Sequence, residues 1–120
     1  MIEAVKHVSI HVRDQGAALA FYTNILGFKL VTDASLGKQR WIELELSGGN
    51  TKIVLFTPEG QEDRIGTFSN IVFTCKNVEA TYRQLKEKGV HFTRAPSSEK
   101  WGNYALFTDP DGNTFCLSSP

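Results

Sequence analysis

The chain repeats itself. Shifted against itself by 63 positions, it sets His7 on Asn70, Asp14 on Asn77, Ala17 on Ala80 and Trp41 on Tyr104. The same shift sets Gly49-Asn50-Thr51 on Gly112-Asn113-Thr114, and Gly27 matches Gly89 after a one-residue slip. Identity between the halves is low, but turn residues, helix starts and aromatic positions recur in order. A repeated supersecondary unit of this size cannot bury its own apolar face well, so two copies must share their burial. Whatever the first half folds into, the second half must also fold into.

The first half shows what the unit is. Val5 to Val12 alternates, with Val8, Ile10 and Val12 on one side and His7, Ser9 and His11 on the other, which is the period of a half-buried strand. Asp14 is a helix N-cap, and Ala18, Phe21, Tyr22, Ile25 and Leu26 form the apolar stripe of the helix that follows. Gly27 stands where a left-handed terminating residue belongs. Phe28 to Ser35 is extended again. Arg40 to Ser47 alternates Ile42, Leu44 and Leu46 against Trp41, Glu43 and Glu45, and Thr51 to Thr57 is a further strand beyond a Gly-rich turn.

Pro58 to Thr67 reads as a linker, and the pattern then restarts. Phe68 to Cys75 is a strand, Asn77 caps a helix marked by Val78, Tyr82 and Leu85, and Gly89 ends it. Val90 to Ala95, Asn103 to Phe107 and Thr114 to Ser118 are the last three strands. The expected fold class is α+β, with two tandem βαβββ modules at approximately residues 1–60 and 66–120, taken together as a single domain of residues 1–120.

Composition narrows the partners. Thirteen basic and thirteen acidic side chains cancel, whereas a nucleic-acid or membrane surface needs a basic excess. Neither partner is expected. The two cysteines, Cys75 and Cys116, show no metal or redox spacing and read as reduced thiols. The N-terminal stretch carries Glu3, Lys6 and His7 with no apolar run, and no segment approaches the ~20 apolar residues of a membrane span. A cytoplasmic protein is expected.

Three segments together carry a family likeness: His7-Val8-Ser9-Ile10-His11-Val12, then Phe21-Tyr22 with Leu26-Gly27-Phe28, then Asp109-Pro110-Asp111-Gly112-Asn113. They resemble the glyoxalase, bleomycin-resistance and extradiol-dioxygenase (vicinal oxygen chelate, VOC) superfamily across nearly the whole chain. The resemblance implies sheets that curl into a cup, often in a homodimer. It also implies, in catalytic members, one divalent metal on four side chains. Carried over, the first of these is His7, which matches. The second falls on Val54 (or Leu55 if the register slips), the third on Asn70 and the fourth on Cys116. Only His7 retains a family ligand, and a divalent ion needs several oxygen or imidazole donors at once. The expected metal set is therefore none, and no cofactor is expected.

With the helices covering the Val8, Ile10, Ile42 and Leu44 side, the other face would carry His7, Trp41, Glu43, Val54, Phe56, Asn70, Tyr104 and Cys116 as the candidate ligand-binding residues. A mixed aromatic and polar wall suits a small organic molecule. Lys100 and Arg40 stand as rim charges. The expected function is a small-molecule binding protein of the bleomycin-resistance type without the complete metal site. The alternative is a metal-dependent lyase, isomerase or dioxygenase, with His7 and Glu43 as candidate catalytic groups and Glu43 or Glu45 completing a rearranged ligand set. A third reading is an interaction module with no pocket chemistry, which a cup filled by Phe56, Leu106 and Val72 would favour.

Overall fold

The computed structural model describes residues 1–120. The chain divides into two compact units, Met1–Ile65 and Gly66–Pro120. The first unit contains β1 (His7–His11), α1 (Gln15–Ala20) continuing into a wide helical turn (Phe21–Ile25), β2 (Lys29–Leu36), β3 (Gln39–Glu45) and β4 (Lys52–Phe56). Its strands lie in the order β1-β4-β3-β2, with β1 parallel to β4 and the other pairs antiparallel. The second unit contains β5 (Phe68–Thr74), α2 (Val78–Glu87), β6 (His91–Glu99), β7 (Gly102–Thr108) and β8 (Thr114–Ser119). Its order β5-β8-β7-β6 repeats the first, again with one parallel pair, β5 beside β8. The fold is α+β, and the repeated unit is βαβββ.

Local chemistry sets the element ends. The Asp14 carboxylate accepts the Ala17 backbone N–H at 2.9 Å, and the Asn77 side-chain oxygen accepts that of Ala80 at 2.9 Å. Gly27 and Gly89 both end helices at positive φ, +78° and +90°. The helix after Asp14 widens because the Thr23 hydroxyl takes the Leu19 carbonyl at 2.7 Å and the Leu26 N–H reaches back to Phe21. Such back-bonding competes with the regular ladder and loosens the last turns.

Each sheet has one apolar face. In the first unit the register sets Val8 beside Ile53, Ile10 beside Leu55, Ile42 beside Leu55, and Leu44 beside Ile53. Apart from partly exposed Val8, these side chains are buried. Helix α1 packs on β3 and β4, and Ala18, Phe21 and Tyr22 are buried on its side. In the second unit Phe73, Phe107 and Phe115 stack with ring centroids 5.3–6.3 Å apart, and Tyr82 of α2 meets Phe92 edge-on at 4.7 Å. No helix is long and apolar enough to cross a membrane.

Three details depart from the sequence reading. β6 runs on through Pro96 to Glu99 instead of stopping at Ala95. It is an edge strand whose register shifts between Arg94 and Ser97, so the missing proline N–H leaves no ladder bond unmade. β5 is broken by a bulge between Phe68 and Val72, where Asn70 takes a left-handed backbone at φ 62°. The Ser69 hydroxyl fills the gap, donating to Thr114 O at 2.7 Å and accepting from Ile71 N at 3.1 Å. The linker holds a short 3-10 turn at Glu62–Arg64.

The turn Asp109–Asn113 is a built structure in its own right. The buried Asp109 carboxylate accepts the backbone N–H of Asp111 and of Asn113 and the Asn113 side-chain amide at 2.9–3.0 Å. Asn113 in turn accepts the Gly66 N–H at 2.9 Å, tying the start of the second unit to its last turn. Gly66 has φ +81°, and a Cβ there would lie 2.9 Å from Asp111 O, so only glycine fits this approach.

Candidate functional site

The helix-free face of the first unit gathers the side chains that alternation assigns to it. The register sets His7 against Lys52, Ser9 and Glu43 against Val54, and His11 against Phe56. Trp41 does not stand upright from β3. Its indole N–H donates to Glu43 Oε2 at 3.1 Å, and its ring meets the His7 imidazole edge-on, centroids 5.6 Å apart at 82°. Val54, paired with Ser9 and Glu43 on the neighbouring strands, has no exposed surface and therefore offers no contact surface of its own. His7, Trp41 and Glu43 form one connected group.

His7 carries an unmet demand. Its Nδ1 atom is buried and has no hydrogen-bond partner. A buried polar atom left unpaired costs ~1–3 kcal/mol, so this face stores a small penalty that a bound group could relieve.

A divalent metal is the group the family likeness suggests, and the donors do not fit it. Of the four positions, Val54 has no donor atom and Asn70 sits exposed on the β5 bulge. Burial pushes the Cys116 thiol above its ordinary pKa, away from the thiolate that binds metals. Glu45 is taken up by Lys29 at 3.7 Å and Lys52 at 3.8 Å. No three His, Cys, Asp or Glu side chains come together closely enough to hold a metal ion. The rearranged set of His7 with Glu43 and Glu45 is not assembled either.

The remaining candidates find these surroundings. His11 meets Phe56 edge-on at 6.3 Å, and partial burial together with the Arg64 charge lowers its pKa. Arg40 is bound two-pronged to Asp33 at 2.8 Å on each arm, so it is not a free rim charge. Beside Phe56 a cleft of about 400 Å³ opens between Gln15, Lys38, Arg40 and Glu59. Cys75 and Cys116 are both free thiols.

The helix-free face of the second unit is organised around Tyr104. Cross-strand pairs set Tyr104 beside Ser118, Leu106 beside Cys116 and Val72 beside Cys116. Phe68 and Val72 on β5 remain 54% and 63% exposed. The Tyr104 ring lies against Trp101 at 5.2 Å and 32°, and the Arg94 guanidinium sits over it at 5.2 Å. The sequence reading attached no role to Trp101 and passed over Arg94. The available signal was an aromatic three residues before Tyr104, but it needed the β6–β7 hairpin, which Pro96 hid.

Comparisons with known proteins agree with the fold. Residues 4–117 match the description Glyoxalase/Bleomycin resistance protein/Dioxygenase superfamily. The Bacillus subtilis protein YetH is 32% identical over 98% of each chain. A superfamily member from Sphaerobacter thermophilus superposes with a TM-score of 0.91 at 35% identity, covering 99% of this chain and 98% of that one. TnmS3, an antibiotic binding protein from Streptomyces sp. CB03234, superposes with a TM-score of 0.87 at 31% identity, covering 99% and 97%.

Proposed function

The chain belongs to the glyoxalase/bleomycin resistance protein/dioxygenase superfamily, and from that premise we propose that it is a metal-independent binding protein for a small aromatic molecule of the antibiotic kind. The observation that supports this reading is the connected group His7–Trp41–Glu43 on the helix-free face of the first unit. The half-buried indole is a stacking wall for a flat ring. The carboxylate beside it accepts a hydrogen bond from a ligand hydroxyl or amine. The unpartnered His7 Nδ1 gains a partner when a ligand polar group enters. Phe56 extends the apolar lining on the same unit. We further propose that the 120 residues act as one domain, in the cytoplasm, as a homodimer.

The test is titration calorimetry with a panel of aromatic natural-product antibiotics. A saturable ligand is expected, and Trp41→Ala should weaken it about thirtyfold, ~2 kcal/mol, the loss typical of a central aromatic anchor. If every compound that binds does so equally well to the Trp41→Ala protein, the site lies elsewhere and the proposal falls.

A further inference from the structure

The repeat places an aromatic ring at the same point of each unit, Trp41 in one and Tyr104 in the other, yet their charged neighbours are opposite. Trp41 donates to the Glu43 carboxylate. Tyr104 lies beneath the Arg94 guanidinium. No carboxylate or other acceptor of the chain pairs with the Arg94 guanidinium, which lies over the Tyr104 ring. Trp101, 63% exposed, also lies against the Tyr104 ring, centroids 5.2 Å apart. Arg94 and Tyr104 share the helix-free face, because Arg94 pairs across to Leu106, and Leu106 and Tyr104 pair with Cys116 and Ser118 of β8, while Trp101 reaches Tyr104 from the β6–β7 turn.

We propose that Arg94, Tyr104 and Trp101 form a binding subsite for the planar, anionic end of an aromatic ligand. A guanidinium offers a planar fork of donors matched to a carboxylate, and it is held here over an aromatic face instead of swinging free. The exposed Trp101 ring supplies the stacking surface, in line with the tyrosine. Lys100 beside it adds a second positive charge and Glu99 one negative, so the local balance still favours an anion. The subsite deepens the reading of this chain as a small-molecule binder, and rests on it, by assigning the ligand an acidic group. It also separates the two units by chemistry: an acceptor beside Trp41, a cation beside Tyr104.

The experiment uses the two tryptophans of the chain as separate reporters. The full ¹⁵N-labelled chain is titrated with 2-naphthoate and, separately, with its neutral analogue 2-naphthamide, following the two indole N–H signals. The Trp101 signal is expected to move saturably with naphthoate, with the amide binding at least about tenfold more weakly. Arg94→Gln should erase that difference, and Arg94→Lys should restore part of it. Arg94 is exposed, and unchanged dispersion of the remaining signals verifies that the variants fold. Equal binding of acid and amide, an acid preference that survives Arg94→Gln, or no saturable movement of Trp101 would each overturn the subsite. A Trp41 signal that answers the antibiotic panel while Trp101 ignores naphthoate removes the subsite and leaves the binding function standing. The reverse pattern removes the Trp41 site and keeps this one.

Discussion

His7, Trp41 and Glu43 show how much meaning three side chains acquire from one another. Alone, His7 is a strand histidine and Glu43 a solvated carboxylate. Once the indole bridges them, the histidine has a buried, unpartnered nitrogen and the carboxylate a fixed orientation. Glu45, two residues on, has the same residue type and the same face, but it is held between two lysines as a surface ion pair of little energetic weight. Alternation assigns both glutamates to one face and cannot tell them apart. His11 offers a test at this scale. Partial burial, then the Arg64 charge, holds its pKa below the ordinary 6.5. As pH falls through 6.5 the unfolded chain therefore takes up the His11 proton before the folded chain does, and stability drops. Urea midpoints measured from about pH 7.5 to about pH 5 should fall on the acid side. His11→Gln should flatten that slope, and an unchanged slope would remove His11 as its source.

Among the elements, the Asp109–Asn113 turn changes most in meaning between sequence and structure. The sequence shows a tight turn delivering Cys116 to the ligand face. The structure adds that its buried aspartate gathers two backbone N–H groups and an asparagine amide, and that the asparagine anchors Gly66. The turn is a structural clasp, held by these bonds whatever Cys116 does. Asp109→Ala leaves those donors buried without an acceptor and should destabilise the protein by ~2–3 kcal/mol in denaturant unfolding. A loss under ~0.5 kcal/mol, as at an ordinary surface site, would show that the clasp bears no strain. Helix starts at Asp14 and Asn77 and helix ends at Gly27 and Gly89 are legible because capping is local chemistry. The bulge at Asn70 and the passage of β6 through Pro96 are not, because both depend on what a partner strand or an open edge permits.

At the scale of the whole molecule, one βαβββ unit is used twice with the same strand order, and the two copies have diverged on their helix-free faces. The donor chemistry predicts that the fold needs no metal. Overnight dialysis against EDTA should leave the melting temperature unchanged, whereas a fall of more than about 4 °C, near 1 kcal/mol for a chain of this size, would reveal a metal that stabilises the protein. The sequence by itself determined the repeat, most of the elements and their apolar faces. Each of these rests on side-chain period, capping residues or residue identity, all readable along a few neighbouring positions. Only the tertiary structure decided that Trp41 joins His7 and Glu43, and that Arg94 and Trp101 both meet the Tyr104 ring. Those neighbours come from different strands. Their meeting depends on cross-strand register and on the direction each long side chain takes, and neither is written in the period of any single strand.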